Sequence, residues 1–433
     1  MTITSPCKIL MSKEHQFVQA VLDDDLATVR RLVADRQVDV NCVDPHSQVT
    51  AFYRACGLGR VAIVRFLLTQ PRVNVTRASR DKVTPLYVAC SRGHVEVVTL
   101  LLADKRVDVN AAEKAGCTPF YIASGLNRRA VMRVLMADSR VKLNRVNNNG
   151  VSPLYLACHN GNDEVAAMLL DDPRVDVNRS LVENATPFFI ACQQGLVNIV
   201  TLLLADERTD PNKAMNHNIT PLWFASQFGH LLVVQHLLAS GRRINVSRRS
   251  SWNNRTAAEH ARSQALLEKF DDETDEEYKR RAGYCPQIAE LIDEYSADPA
   301  GTCHRLRRCK GVRELYVAEV FALVVLLSDH FLKFRMALNS PSEVAVKRFF
   351  AMLFALPMEL QMMVCNRVFG SSRDAVLSRH LALALKRLYH QMLATTRPSG
   401  GLLERMDKSL SPVVHETVCT LHSLKASLSL LIR

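Results

Sequence analysis

Along the first two thirds of the chain, apolar positions recur with the spacing of one helix face, interrupted at regular intervals by turn residues. In residues 83–110, VTPLYVACSRGHVEVVTLLLADKRVDVN, Val95, Val97, Val98, Leu101 and Leu102 form such a stripe, and it returns at Leu196, Ile199, Val200, Leu203 and Leu204. The Thr-Pro that opens this segment has counterparts at Thr118-Pro119, Ser152-Pro153, Thr186-Pro187 and Thr220-Pro221, each 34 residues after the last, and at Thr50-Ala51 34 residues before. A fixed period of this size marks a stacked repeat protein.

Each residue class in the unit has a physical task. The Thr or Ser hydroxyl caps free N–H groups at a helix start, and Pro fits the first turn, where its missing N–H costs nothing. The first helix keeps a small residue at Ala55, Ala89, Ala123, Ala157, Ala191 and Ala225, where the neighbouring repeat must come close. The chain then reverses at Gly59, Gly93, Gly161, Gly195 and Gly229, with Asn127 as the exception. Asn is the residue next most tolerant of a left-handed backbone, so a positive φ is expected at all six. A helix pair this short cannot bury its apolar face alone and must stack on its neighbours.

The period organises the chain as follows. Residues 14–47 read as a capping repeat, full repeats fill 48–253, and a degenerate repeat occupies 254–296, where TAAEHA replaces TPLYVA. There an acidic insert, EKFDDETDEEYKRR at 268–281, is expected as a solvated loop or mobile arm, and PQIAELIDEY is expected as the second helix. The first domain is therefore 1–296. From 297 to 433 the period is lost and a helical C-terminal domain is expected, with helices over 312–338, 340–356, 357–370, 374–394 and 412–431. The fold class is all-α: about eight helix-turn-helix units with hairpin fingers, then a helical domain.

The repeated TPLxxAxxxGHxxVVxLLL…DVN resembles the ankyrin repeat over residues 14 to about 296. Two departures stand out. The period is 34 rather than the usual 33, and the His that follows Thr-Pro-Leu in that family is aromatic here, as Tyr53, Tyr87, Tyr121, Tyr155, Phe189 and Trp223. Phe189 cannot make the inter-repeat hydrogen bonds that the resemblance attributes to that His, so packing must substitute there.

The resemblance also implies where a partner would bind: the fingers and the exposed ends of the first helices, on the concave side. The residues where the chain enters each finger are Arg77, Ala111, Arg145, Arg179 and Lys213, a basic row with one gap. At the end of helix one the set is Leu58, Arg92, Leu126, Asn160, Gln194 and Phe228, a mixture suited to a protein surface. The candidate partner-binding residues are thus Arg77, Arg92, Leu126, Arg145, Asn160, Arg179, Gln194, Lys213 and Phe228. The bland alternative for the finger row is solvated decoration. A second row, Arg72, Arg106, Arg140, Arg174, Arg208 and Arg242, is uniform, and Asp104, Asp138, Asp172 and Asp206 precede four of its members by two residues. Uniformity argues for a structural loop brace.

Charge and cysteine content refine the picture. The formal net charge of +12 favours an acidic partner without naming one, since nucleic acid, acidic proteins and anionic membrane surfaces all fit it; a protein partner is the leading expectation. Of the 12 cysteines, Cys56, Cys90, Cys158 and Cys192 share one repeat position with Ser124 and Ser226, so they read as reduced interior thiols. The opening MTITSPCKILMSKEHQ has no apolar run of signal-peptide length, and the apolar run at 320–327 is too short to span a bilayer. A cytoplasmic or nuclear address is expected. Cys303, His304 and Cys309, and separately His415, Cys419 and His422, lack the knuckle spacing of a structural zinc site. No phosphate loop, GxSxG, HExxH or kinase signature occurs, so no catalytic, cofactor or metal residue is assigned and the chain is not read as an enzyme.

One segment of the tail, LPMEL at 356–360, resembles the opening of an F-box, the helical module that docks on the adaptor of cullin ubiquitin ligases. The likeness extends to Val364, and the later Trp usual in that module is absent. The leading expectation is a non-enzymatic interaction scaffold. Its alternatives are a ubiquitin-ligase substrate receptor and a nucleic-acid-binding protein.

Overall fold

The computed structural model describes residues 12–43, 48–181, 183–269 and 273–307, together with 309 and 312. The helices expected beyond 312, the LPMEL segment, and His415, Cys419 and His422 lie outside the described residues. Among those described, every regular element is helical and the sole β-type pairing is an isolated bridge, Val43 to Thr50. The chain gathers into two compact units, Met1–Ile190 and Ala191–Arg433.

The first unit holds five helix pairs: α1 Lys13–Leu22 and α2 Leu26–Ala34, α3 Ala51–Leu58 and α4 Val61–Leu68, α5 Pro85–Arg92 and α6 Val95–Ala103, α7 Pro119–Gly125 and α8 Arg129–Ala137, α9 Pro153–His159 and α10 Asp163–Asp171. The division between units falls within α11, Pro187–Gln194. The caps form as expected. Thr84 Oγ1 accepts from the Tyr87 amide at 3.2 Å, Thr118 from Tyr121 at 3.1 Å and Ser152 from Tyr155 at 3.1 Å. The terminal pair starts differently, with Ser12 capping α1 and Asp25 capping α2, and buries only Phe17, Ala20 and Val21 from its first helix.

First helices stack on first helices, and the alanines make this possible: Ala55, Ala89, Ala123 and Ala157 are fully buried. The Cys and Ser position is equally enclosed, and burial pushes the thiols of Cys56, Cys90 and Cys158 far above their ordinary range. In that slot Ser124 instead donates to the Pro153 carbonyl at 2.8 Å. The aromatic residues that stand where the family has His also pack inward. Tyr121, Tyr155 and Phe189 are buried, and the Tyr121 hydroxyl accepts from Asn147 at 3.1 Å.

At the turn, Asn127 adopts φ +55° beside glycines at +73° and +83° on Gly59 and Gly93. The residue that follows each turn performs a second task. Arg60, His94, Arg128 and Asn162 reach back to carbonyls at the end of the preceding first helix, on Leu22 (2.7 Å), Gly57 (3.0 Å), Ser91 (2.9 Å) and Ser124 (2.9 Å). Helix C-termini leave carbonyls without intrahelical donors, and this row supplies them. Because a carbonyl only accepts, His94 carries its proton on Nε2.

The fingers are tight hairpin turns. Within each, the backbone pairs Ser79 with Val83, Glu113 with Cys117 and Asn147 with Val151 at 2.9–3.1 Å, and successive fingers join through Lys114 N to Asp81 O and Asn148 N to Ala115 O. At their base Asn110 and Asn144 each grip the next repeat twice. Their Nδ2 atoms donate to the Arg140 and Arg174 carbonyls, and their Oδ1 atoms accept from the Lys142 and Asp176 amides, all at 2.7–2.8 Å. Asn41 does the same toward Arg72 and Asn74.

The second unit continues with α12 Val197–Ala205, α13 Pro221–Gln227, α14 Leu231–Ala239, α15 Ala257–Ala265, α16 Asp275–Ala297 and α17 Pro299–Arg307. Here the structure corrects one expectation. The acidic insert is not a loop throughout, because its second half is the start of α16, a 23-residue helix that runs straight through Pro286. Thr274 and Glu277 form a reciprocal capping box, and Asp275, Glu276 and Glu277 place negative charge in the first turn, where the helix dipole favours it. Arg281, 2% exposed, pins this extension: it pairs with Glu273 at 2.8 Å and donates to the Gln264 and Glu268 carbonyls. Past the regular repeats α17 packs on α14, where Arg307 Nε and Cys303 Sγ both donate to the Ala239 carbonyl.

Candidate functional site

The uniform arginine row is built into the fold. Arg106, Arg140 and Arg174 each clasp the aspartate two residues earlier and donate across the seam to the Leu68, Leu102 and Met136 carbonyls at 2.6–2.9 Å. Hydrogen bonds from these guanidinium groups hold the Asp104 and Asp138 carboxyls below their usual range. In the second unit Arg208 clasps Asp206 at 2.7 Å, and Arg242 reaches the Thr209 carbonyl at 2.6 Å. These residues are braces.

The finger row differs. Arg77 and Arg179 are exposed and their side chains make no hydrogen bond or ion pair among the described residues. Arg145 is exposed but donates to the Asn110 carbonyl at 2.9 Å, and Lys213 is half-buried. The pattern of Arg145 recurs in Arg248, which donates to the Asn212 carbonyl at 3.4 Å and to Asn218 Oδ1 at 2.9 Å. Arg248 escaped the register because one residue is inserted before Ile244, so a strict step of 34 from Lys213 lands on Ser247.

In the row at the end of helix one, Leu58 and Leu126 are 40% and 45% exposed, and Arg92 is exposed with no hydrogen bond or ion pair among the described residues. Asn160 is exposed yet donates to the Gly125 carbonyl at 3.0 Å, which makes it partly a seam residue. In the second unit Gln194 is exposed, while Phe228 is half-buried because α16 crosses it and Arg280 Nε donates to its carbonyl at 3.2 Å. Repeat spacing finds Phe228. The helix that covers it follows only from the Thr274 and Glu277 capping box.

Neighbouring aromatic packing explains the last finger. Trp223 is 2% exposed and stacks on His260, ring centroids 3.7 Å apart and planes within 11°. Trp252 meets its edge at 6.2 Å and remains 65% exposed, a large apolar side chain at a fingertip that the residue pattern did not single out. Burial, with Arg255 adding to it, pulls His260 down to about 4.

The sequence model described as ankyrin repeats (3 copies) matches residues 17–113, 106–181 and 173–248, together more than half of the chain. The chain belongs to the ankyrin-repeat family. Ankyrin repeats are protein–protein interaction modules, and proteins built from them are typically scaffolds rather than enzymes. Among solved structures, the chain is similar to the ankyrin repeat domain of Bcl-3, described as a unique member of the IkappaB protein family, at 20% identity over 57% of this chain and 100% of that one, with a TM-score of 0.47. It is also similar to the human ASB11 ankyrin repeat domain, at 22% identity over 56% of this chain and 98% of that one, with a TM-score of 0.44. No curated protein matches. Among the described residues no group of three His, Cys, Asp or Glu side chains could hold a metal ion, and no helix is long and apolar enough to cross a membrane.

Proposed function

We propose that this ankyrin-repeat chain is a non-enzymatic adaptor that binds an acidic protein partner across the finger row and the ends of the first helices. The observation that supports this reading is the contrast between the arginine brace and the arginines of the two candidate rows. Arg106, Arg140 and Arg174 are held by carboxylates and carbonyls, whereas Arg77, Arg92 and Arg179 stand exposed without bonds among the described residues. Exposed guanidinium groups can pair with carboxylates of a partner, and the exposed Leu58 and Leu126 add apolar surface for it to cover.

The test is capture of partners from cell extract by wild type and by the triple reversal R77E/R92E/R179E, quantified by mass spectrometry. The variant is expected to lose the wild-type partner while keeping its melting temperature, since these side chains make no hydrogen bond or ion pair among the described residues. Equal recovery by both proteins would remove the rows from consideration. Nuclease-sensitive capture, with affinity falling steeply as salt rises, would instead favour nucleic acid.

A further inference from the structure

Where α16 crosses the end of α13 a cavity of about 270 Å³ opens against Gln227 and Phe228. The crossing is fixed by two donors on α16, Arg280 Nε to the Phe228 carbonyl and Cys285 Sγ to the Ser226 carbonyl, both at 3.2 Å. The helix backbone also comes close at the turn, where a Cβ on Gly229 would lie 2.8 Å from the Arg280 carbonyl.

Four charged side chains line the cavity, and their commitments differ. Arg281 is bound twice to Glu273, at 2.9 and 2.8 Å. Glu277 accepts from the Thr274 amide and hydroxyl in the capping box, at 2.9 and 2.7 Å. Arg280 remains. It is half-buried, anchored through Nε alone, and its two terminal nitrogens make no bond among the described residues. A guanidinium held at one nitrogen and open at the other two is a preorganised fork for a carboxylate, and partial burial strengthens such a pair relative to one on the surface.

We infer that this pocket is a subsite that receives one Asp or Glu side chain of the protein partner, Arg280 taking the carboxylate and Phe228 packing on its methylene stem. The inference rests on the adaptor reading above, because Phe228 and Gln194 belong to the same row and the pocket closes that row at one end. Glu273 and Glu277 line the same pocket and oppose an incoming carboxylate, so the subsite selects a side chain that reaches Arg280 directly.

A random dodecapeptide library displayed on phage, selected on the full chain, tests this with peptides as the probe. Selected peptides are expected to share one Asp or Glu whose amide replacement weakens binding ten-fold or more, as measured by fluorescence anisotropy. R280Q should lose a similar factor and show little further loss with the amide peptide, while R280K should retain part of the affinity. E277Q keeps the capping box, since Gln serves there too, and should tighten binding two- to three-fold. A selection without binders, binders lacking a fixed acidic position, or losses for R280Q and the amide peptide that simply multiply would overturn the subsite. If the triple reversal R77E/R92E/R179E abolishes partner capture while R280Q leaves both peptide binding and capture unchanged, the subsite falls and the adaptor reading stands. If neither variant alters capture, both fall.

Discussion

The seam after α7 and the seam after α13 solve one problem in two ways. Both helices end with carbonyls that have no intrahelical donor. After α7 the donor is Asn162, which reaches Ser124 and Gly125 across 38 and 37 positions, one repeat and a little more. After α13 the donors are Arg280 and Cys285, 52 and 59 positions away, carried by a long helix that lies across the turn. The regular seam is closed by a side chain of the repeat itself. The last seam is closed by an added element, and that element leaves a pocket and an arginine whose two terminal nitrogens make no bond among the described residues.

The largest expected effect is at the pin of that element. Replacing Arg281 by Met removes the ion pair from Glu273, whose side chain is only 11% exposed. A loss of about 3–5 kcal/mol follows for breaking a buried pair, against under about 1 kcal/mol for removing Arg249 from its exposed pair with Glu259. Both tryptophans, Trp223 and Trp252, lie in the second unit, so urea unfolding followed by tryptophan fluorescence reads this region selectively. Equal losses for the two variants would mean that α16 is not pinned by Arg281.

A smaller difference separates two glycines with the same backbone. Gly93 and Gly229 have φ +83° and +67°, so alanine costs about 1–2 kcal/mol at either from conformation alone. At Gly93 the new methyl would first meet the flexible Arg128 side chain, 3.3 Å away, whereas at Gly229 it would strike the α16 backbone at 2.8 Å. Gly229→Ala should therefore cost about 1–2 kcal/mol more than Gly93→Ala, by urea midpoint followed with far-UV circular dichroism. Similar costs would show that α16 yields easily.

The contrast also marks how far the residue pattern carries. Caps, turns, the interior Ala, Cys and Ser positions and the arginine brace all repeat at 34, and each acts within one repeat or on its neighbour, so register alone locates them. The insert was misread because its acidic, polar residues have the composition of a solvated loop. What makes it helical is the Thr274 and Glu277 box together with Arg281, whose partners at 264, 268 and 273 are brought together only by folding. Arg248 was missed because of one inserted residue. The candidate rows follow from the period, but the difference between Arg145, tied to Asn110, and Arg179, which has no side-chain bond among the described residues, is a matter of reach that spacing does not contain.

Acid provides a gentler comparison, between the seam after α7 and the seam after α11. His230 donates to the Gln193 carbonyl at 2.9 Å, and burial, with the Arg280 charge adding to it, pulls its pKa down to about 4. The unfolded chain holds a proton on this ring below about 6.5, so between there and 4 it binds a proton that the folded state does not. Stability is therefore complete above about pH 6.5 and is lost as pH falls toward 4. Asn does the same bonding without titrating, as Asn162 shows. His230→Asn should reduce the stability lost between pH 7 and pH 4.5 by about 1–2 kcal/mol, with little change at pH 8. An unchanged acid limb in urea titrations at the two pH values would mean that His230 is protonated in the folded state.

The smallest effect is a gain. Asn41, Asn110 and Asn144 each hold the next finger by two bonds, and the repeat between Asn41 and Asn110 has Thr76 in that place. Thr76 turns instead to Asn74 Oδ1 at 3.0 Å, and its hydroxyl is too short to span to the next repeat as the longer amides do. Asparagine there should donate to the Arg106 carbonyl and accept from the Asp108 amide, the groups one repeat before those that Asn110 binds. Both groups lie at the exposed finger base, so each new bond replaces one to water and the net gain is modest. Thr76→Asn is expected to stabilise the first unit by about 0.5–1 kcal/mol, read as a rise in the circular-dichroism melting temperature. Slower amide hydrogen exchange at Asp108 would accompany it. A stabilised protein without that added protection would place the gain elsewhere than in the asparagine row.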